Sequence, residues 1–333
     1  MREIADGLGG QERPDRYGSG EVLETFERDI AQLLGKECAA FMPSGTMAQQ
    51  IALRVHAERS GNRNVALHPQ SHLLVSEENA FQTLHPLYGV PVGTREALFT
   101  LRDLQKTTPV PGTLLVELPE RNIGGELRPW NELRDIAAWA RDAGVRIHLD
   151  GARLWECVPY YERSLAEICD LFDTVYVSFY KTLGAIAGAA LAGKRPIIDE
   201  ARTWQWRHGG RLVAQYPMIV SAQQGLARYA PRIPLYCDRA RSIARVLGEF
   251  EPVSVTPDPP PTNMMHVFVR GDRDTLDRCA LALAQETGIW FAGSWQNTEV
   301  PGTAKFELTC AEGSLSIGDD EVRALATRLF ATL

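Results

Sequence analysis

The hydrophobic and polar positions of the chain follow two different periods in turn, which predicts an α/β protein. Short apolar runs predict buried strands at 38–42, 64–68, 113–118, 145–150, 174–180 and 189–193. Apolar residues at helical spacing predict amphipathic helices at 21–37, 47–59 and 130–144. Because strands alternate with helices, we expect a mostly parallel central sheet that is covered by helices on both faces.

The pattern changes near residue 235. A turn leads into a long helix within 230–251, and the proline-rich stretch VTPDPPPTN follows at 255–263. Beyond it, the periodicity predicts strands at 264–270 and 304–310 and helices at 274–288 and 319–333. We therefore predict a large domain over 1–235, with an N-terminal arm at 1–20, and a smaller C-terminal α+β domain over 236–333.

Composition and charge limit the kinds of molecule to which this protein can bind. The net charge of the 333-residue chain is -7, which disfavours nucleic acid because phosphate binding requires a basic face. No apolar run approaches the roughly 20 residues that span a bilayer, and the polar, glycine-rich N-terminus is unlike a signal peptide. The six cysteines are scattered without a C-x-x-C pair, as is typical of reduced thiols. These features predict a cytoplasmic protein without a nucleic-acid or membrane partner, and we assign no metal ligands.

Three stretches carry candidate chemistry. In MPSGTMAQQ (42–50), Ser44 and Thr46 are good helix caps and Gly45 permits close backbone approach, so the helix start is a candidate anion site. In VRIHLDGARLWE (145–156), an apolar strand ends in Asp150, where ligands of α/β sheets bind, and Arg153 follows. The simpler interpretation of the first stretch is an ordinary helix cap, and that of the second is a salt bridge in a loop.

The third stretch is VSFYKTLGAIAGAALAG (177–193), in which Lys181 is the only charged residue. A lysine that is desolvated in a tight site has a lowered pKa and becomes a nucleophile toward carbonyls, although a lysine that reaches solvent is the simpler alternative. Taken together, an anion site, a carboxylate for a ring nitrogen and a lysine for an aldehyde describe the binding of pyridoxal 5'-phosphate.

These motifs resemble the threonine aldolase and β-eliminating lyase family of the fold-type I pyridoxal-phosphate enzymes. FMPSGTMAQQIAL resembles the phosphate turn of that family, HLDGARLW its H-x-D-G-A-R signature and SFYKTLGAIAGAALAG its lysine segment. RYGSGEVLETFERDIAQLLGKE is similar to its first helix, and SHLLVSEENA to the segment with a ring-stacking histidine. The resemblance covers nearly the whole chain and implies a homodimer or homotetramer with the site at the dimer interface.

The resemblance also implies a role for each matching residue. Lys181 would bind the cofactor's aldehyde, and Asp150 would pair with its ring nitrogen. His72 would stack on the ring, and Arg153 would contact the cofactor or the substrate carboxylate. The remaining implied contacts are the phosphate ligands Ser44, Gly45, Thr46 and Arg211, and Tyr17 in the entry loop.

The chain departs from the family at several positions. The stretch that holds the family's catalytic histidine aligns with ELPERNIGG, which puts Glu120 in the place of that histidine. The C-terminal arginine that grips the substrate carboxylate aligns with Glu307, which would repel a carboxylate. Either Arg153, Arg121 or Arg211 replaces that arginine, or Glu307 contacts an amine or hydroxyl of a different substrate. His85 is a candidate replacement for the missing catalytic base, with Glu120 or a water as alternatives.

The most specific hypothesis from the sequence is a lyase for β-hydroxy-α-amino acids. It would cleave the Cα–Cβ bond of L-threonine or allo-threonine to give glycine and acetaldehyde by a retro-aldol reaction. Alternatives are β-elimination or another transformation of a different amino acid, and a pyridoxal-phosphate-binding protein without lyase activity. A Rossmann-type oxidoreductase is disfavoured because no G-x-G-x-x-G follows the first strand.

Overall fold

The computed structural model describes residues 15–331, which form two units. The first unit contains residues 15–122 and 128–231, and the second contains 123–127 and 232–331. The domain boundary near 235 stays a prediction, and residues 1–14 of the predicted N-terminal arm lie outside the described part of the chain. No helix in the described range is both long enough and apolar enough to cross a membrane.

Within the described residues, the first unit contains a seven-stranded sheet. Its strands in chain order are β1 (Cys38–Met42), β2 (Asn64–Leu67), β3 (Tyr88–Pro91), β4 (Thr113–Glu117), β5 (Arg146–Gly151), β6 (Thr174–Ser178) and β7 (Ala189–Gly193). Their spatial order is β1-β7-β6-β5-β4-β2-β3. In this spatial order, each neighbouring pair from β6 to β3 is parallel, whereas β7 runs antiparallel to both of its neighbours, β1 and β6.

The helices of this unit precede, connect and follow these strands, and those between parallel strands form the crossover connections that a parallel sheet requires. They are α1 (Glu21–Leu33), α2 (Gly45–Ser60), α3 (His72–Val75), α4 (Ala80–Thr83), α5 (Leu101–Lys106), α6 (Trp130–Asp142), α7 (Val158–Tyr161), α8 (Leu165–Cys169), α9 (Arg195–Arg207) and α10 (Tyr216–Tyr229). Strands β4, β6 and β7 are buried along their whole length, which explains why their sequences are mostly apolar.

The ends of α2 follow directly from its sequence. Ser44 is in an extended conformation, and its side chain accepts a hydrogen bond from the Met47 backbone at 3.3 Å. Gly61 ends the helix in the left-handed conformation with φ of 69°, which glycine adopts without a steric penalty. Helix α2 therefore begins directly after β1, at the edge of the sheet where the parallel strands end.

The second unit contains a four-stranded antiparallel sheet in the order β10-β11-β9-β8. Its strands are β8 (Val253–Thr256), β9 (Met264–Arg270), β10 (Gln296–Asn297) and β11 (Thr303–Thr309). Its helices are α11 (Ile233–Leu247), α12 (Arg273–Thr287) and α13 (Asp319–Phe330). In β11 every second residue is buried, as expected for a strand with one covered face.

Strands β3 and β8 were not predicted, for identifiable reasons. The sequence of β3 is YGVP, and glycine and proline are both depleted in strands. Proline is tolerated there because β3 is the edge strand of the sheet. Strand β8 comes just before the proline-rich stretch and is only four residues long.

Two buried histidines join α2 to the sheet through one hydroxyl group. Nε2 of His56 in α2 and Nδ1 of His148 in β5 each lie 2.8 Å from Oγ1 of Thr174 in β6. Burial lowers the pKa of His56 from 6.5 to about 4 and the pKa of His148 from 6.5 to about 3. The folded protein therefore stabilises the neutral form of both imidazoles.

We expect the free energy of unfolding to decrease as the pH falls from about 6.5 toward 4, because the unfolded state binds protons that the folded state excludes. Between pH 7.5 and pH 4.5, the free energy of unfolding of a His148→Gln variant should fall by about 2–3 kcal/mol less than that of the wild type. Urea unfolding at a series of pH values measures this slope, and His208→Gln, at a partly exposed histidine, is the comparison variant. Equal slopes for wild type and His148→Gln would contradict the assignment.

Candidate active site at the carboxyl ends of the parallel strands

Three acidic or phenolic side chains lie side by side where the central strands end. Asp150 of β5 is paired with Glu117 of β4 on one side and with Tyr176 of β6 on the other. In open α/β sheets, ligands bind outside the carboxyl ends of the strands. This edge also receives the N-terminus of α2, because Gly45 packs directly against the Tyr176 ring.

Asp150 is held firmly from two directions. It is 4 % exposed, and its Oδ1 accepts a hydrogen bond from the Ala152 backbone at 3.0 Å. Its Oδ2 accepts a hydrogen bond from Nε2 of Gln49 at 2.8 Å. Gln49 lies in the first turns of α2 and was missed by the sequence reasoning. A carboxylate that is fixed in this way can pair with a ligand cation without first losing side-chain freedom.

Lys181 follows β6 at the same edge of the sheet. Burial is the main cause that lowers the pKa of the Lys181 amine, and the positive charges of Arg153 and Arg121 lower this pKa further. The negative charges of Asp150 and Glu117 act in the opposite direction. The net effect lowers the pKa, which makes the neutral and nucleophilic form of the amine easier to reach. The environment therefore fits the predicted role of Lys181.

The start of α2 requires glycine at position 45 for a steric reason. A Cβ atom there would lie 2.0 Å from the Tyr176 hydroxyl oxygen and 2.4 Å from Cζ of that ring. Tyr176 is fully buried, so its ring cannot move aside cheaply. The predicted phosphate ligands Ser44, Gly45 and Thr46 are thus placed at a helix N-terminus, where free N–H groups favour an anion.

We expect Gly45→Ala to destabilise the protein by about 1–3 kcal/mol, the usual range for overpacking a core. Urea unfolding measures the effect. Gly248→Ala is a suitable control, because Gly248 has a φ of -65° and an added Cβ would meet its nearest atom at 3.5 Å. A Gly45→Ala variant as stable as this control would contradict the packing argument.

His72 begins the short helix α3 and is joined to two acidic residues. Its backbone N–H donates to Oε1 of Glu117 at 2.7 Å, and its Nδ1 lies 3.1 Å from Oε1 of Glu77. The same Glu77 oxygen accepts a hydrogen bond from Oγ1 of Thr46 at 3.1 Å. These contacts bring the predicted histidine next to the predicted phosphate turn. Neither Glu77 nor Glu117 was predicted from the sequence.

Glu120 is buried close to Glu117, and the pKa of both carboxyl groups is raised. Burial and the nearby Asp150 charge raise the pKa of Glu117 from 4.5 to about 7. Burial and the Glu117 charge raise the pKa of Glu120 well above 4.5. A raised pKa makes the protonated form of Glu120 easier to reach, and it does not by itself decide whether Glu120 acts as a base or as an acid. That role of Glu120 stays a prediction.

Glu156 is a further buried carboxyl group beside the lysine segment. It is fully buried, accepts a hydrogen bond from the hydroxyl group of Thr182, and has a second oxygen, Oε2, without a hydrogen-bond partner in the described structure. Burial raises the pKa of Glu156 from 4.5 to about 7, while the positive charges of Arg153 and Lys181 lower this pKa. The contact with Thr182 fixes the residue that directly follows Lys181.

The contacts of His85 place it beside the middle of α2. Its ring centroid lies 5.5 Å from that of Trp204 and 4.9 Å from that of His208, and Trp204 also packs against Arg54. Arg54 is nine residues after Gly45, which corresponds to about 13 Å along the helix axis. Burial lowers the pKa of His85 from 6.5 to about 4, which makes it a weak base. These contacts of His85 include none of the residues around Lys181, and its proposed role as base stays a prediction.

Tyr17 and Arg211 contact each other on the surface of the first unit. The Arg211 guanidinium donates a hydrogen bond to the Tyr17 carbonyl and lies 4.1 Å from the ring centroid of Trp206, which is 63 % exposed. Glu307 belongs to the second unit, in β11, where it is paired with His266 of β9 at 4.0 Å. The structure therefore gathers Thr46, His72, Glu120, Asp150 and Lys181 in the first unit, whereas Glu307 lies in the other unit.

Comparison with known proteins gives a consistent result. The family described as beta-eliminating lyase matches residues 10–271. A crystal structure from Listeria monocytogenes EGD-E, of a protein provisionally named an L-allo-threonine aldolase, is 38 % identical with a TM-score of 0.95. The similarity covers 99 % of this chain and 92 % of that chain, which confirms the predicted fold-type I architecture.

Two further relatives are similar in sequence. An aldolase of Penicillium aethiopicum is 32 % identical over 68 % of this chain and 59 % of its own length, so this chain spans less than two thirds of that protein. Low-specificity L-threonine aldolase 1 of Arabidopsis thaliana is 28 % identical over 83 % of this chain and 79 % of its own length. With the family match covering most of the sequence, the chain belongs to the threonine aldolase and β-eliminating lyase family.

Proposed function

We propose that this protein is a pyridoxal-phosphate-dependent lyase that cleaves the Cα–Cβ bond of β-hydroxy-α-amino acids such as L-threonine or L-allo-threonine. The proposal is supported mainly by two residues at the same edge of the sheet. Asp150 is buried and accepts two hydrogen bonds, and Lys181 is desolvated. The names of the Listeria and Arabidopsis relatives support the same activity.

The residues at this edge fit pyridoxal phosphate by their chemistry. The N-terminus of α2 offers N–H donors to a phosphate, Asp150 offers a carboxylate to a ring nitrogen, and Lys181 offers an amine to an aldehyde. When bound, pyridoxal phosphate supplies an electron sink for a carbanion at Cα. The protein must then keep the ring nitrogen protonated and orient the substrate. It must also remove the hydroxyl proton and supply a proton to Cα.

Each residue has a defined part in that task. Asp150 would hold a proton on the ring nitrogen of the bound cofactor, and His72, whose Nδ1 lies 3.1 Å from Oε1 of Glu77, would cover the ring. Arg153 and Arg121 are the nearby cations for a substrate carboxylate, since both act on the Lys181 charge. In the overall reaction the hydroxyl proton leaves, the Cα–Cβ bond breaks to release an aldehyde, and Cα gains a proton to give glycine. No oxidant or reductant is required.

An end-point assay tests this proposal directly. The protein is incubated with L-threonine, L-allo-threonine or L-serine in the presence of pyridoxal phosphate, and glycine, acetaldehyde and pyruvate are quantified. We expect glycine and acetaldehyde in equal amounts from at least one threonine isomer. Faster release of pyruvate from serine would instead support β-elimination, which the name of the family favours. If neither acetaldehyde nor pyruvate is formed, both lyase functions are contradicted.

We further propose that the protein acts as a homodimer or homotetramer in the cytoplasm. Trp206 and Val213, on either side of Arg211 in the sequence, are exposed apolar side chains that a second copy of the chain would cover. All six cysteines are free thiols, which agrees with a reducing compartment. Glu307 remains our candidate for a substrate contact from the second unit.

A further inference from the structure

Glu77 is a buried carboxylate with two partners that belong to different parts of the site. Its side chain is 2 % exposed, and its Oε1 accepts a hydrogen bond from the Thr46 hydroxyl group at 3.1 Å. The same oxygen lies 3.1 Å from Nδ1 of His72. Its second oxygen, Oε2, is buried without a hydrogen-bond partner among the described residues. Both contacts therefore depend on one oxygen atom of one side chain.

The backbone around Glu77 is shaped to keep this side chain inside. Glu77 lies between the four-residue helices α3 and α4, and the two residues that follow it, Glu78 and Asn79, have φ angles of 50° and 56°. Residues other than glycine adopt this left-handed conformation at a steric cost, which is smallest for asparagine. Glu78 is exposed while Glu77 is buried, so the turn separates two adjacent glutamates.

The charges that face His72 come from four elements. Glu77 follows its own helix, and Glu117 of β4 accepts its backbone N–H. Asp150 of β5 and Lys181 after β6 act on the imidazole through their charges. The hydrogen bond to Glu77 is the largest influence and raises the pKa of His72, whereas burial and the Lys181 charge lower this pKa. Glu77 thus favours an imidazole whose Nδ1 carries a proton and whose ring plane is fixed.

We propose that Glu77 is a positioning residue that fixes the orientation and protonation of His72 and ties this ring to Thr46 at the start of α2. The role in turnover rests on the proposed lyase function. The link matters because Thr46 and His72 would contact the same cofactor at its phosphate and at its ring. A carboxylate that binds both residues keeps the distance between these two contacts constant.

The test is a nuclear magnetic resonance titration of the His72 ring in the purified protein, with His72→Phe used to assign the signal. We expect Glu77→Gln to lower the pKa of His72 by about one unit, a tenfold change in proton affinity, because the amide accepts the hydrogen bond without the charge. Glu78→Gln is the matched control and should leave the pKa unchanged, since Glu78 is exposed. Glu77→Asp, which keeps the charge, should restore part of the shift. If Glu77→Gln leaves the pKa of His72 at its wild-type value, the proposal is wrong.

A kinetic measurement on the same variants tests the consequence for turnover. We expect Glu77→Gln to lower kcat about tenfold or more while KM for the amino acid changes little, because the substrate's own contacts remain. A Glu77→Gln variant with wild-type kcat and an altered His72 pKa would overturn the catalytic part. If the wild type cleaves no amino acid, the titration still decides whether Glu77 controls His72, so the two proposals fail separately.

Discussion

Replacement of Lys181 by alanine is expected to reduce lyase turnover by about 10³-fold or more, because the variant lacks the amine that binds the cofactor's aldehyde. The local environment supports so large an effect. Burial and the neighbouring arginines lower the pKa of this amine, against the opposing charges of Asp150 and Glu117, so its neutral and nucleophilic form is easier to reach than that of a free lysine. Steady-state kinetics with saturating pyridoxal phosphate measure the loss.

The control for this variant is Lys194→Ala. Lys194 is exposed just after β7 and lies outside the candidate site, so its removal should leave turnover within about twofold of the wild type. Both variants should unfold at similar urea concentrations. If Lys181→Ala retained turnover within tenfold of the wild type, the proposed mechanism would have to be abandoned.

Replacement of Asp150 by asparagine is expected to reduce turnover by about 10²–10³-fold, because the variant cannot hold a proton on the ring nitrogen through a negative charge. The fold should tolerate the change for a specific reason. Oε1 of Gln49 is buried without a partner among the described residues, so a rotation of the Gln49 amide group would let this oxygen accept a hydrogen bond from the amide introduced at position 150.

A pair of measurements separates the chemical effect from a folding effect. We expect the unfolding free energy of Asp150→Asn to stay within about 1 kcal/mol of the wild type, while kcat falls. Asp170→Asn removes an exposed carboxylate of the same unit and should change neither quantity. Loss of stability that matches the loss of activity would show that Asp150 acts as a structural residue.

Much of the fold could be predicted because the central strands are buried on both faces. The runs in β4, β6 and β7 are apolar over most of their length, and such runs are visible without any knowledge of contacts. Strand β3 could not be predicted in this way, since it is exposed at the sheet edge and contains glycine and proline. Helix α9 was also missed, and its sequence contains many charged and aromatic residues that weaken a simple periodic signal.

The residues of the candidate site could also be predicted only in part. Lys181 and Asp150 could be predicted from local motifs, because each comes at the end of an apolar strand. Gln49, Glu77 and Glu117 could not, since their importance comes from partners that are distant along the chain, such as the Gln49–Asp150 hydrogen bond. For Glu117 a signal was available, because it ends the strand next to the one that ends near Asp150. His85 was selected for its proximity to His72 in sequence, whereas its ring contacts are with Trp204 and His208.

The visible absorbance spectrum of the purified protein, recorded with pyridoxal phosphate and then with added glycine, tests the central claim most directly. We expect a band from cofactor bound through Lys181, absent in Lys181→Ala, that is replaced by a longer-wavelength band when glycine is added. The first band would support covalent binding at Lys181, and the second would support chemistry at Cα of an amino acid. If the wild-type protein shows no band after pyridoxal phosphate is added, Lys181 does not bind this cofactor and the proposed function is wrong.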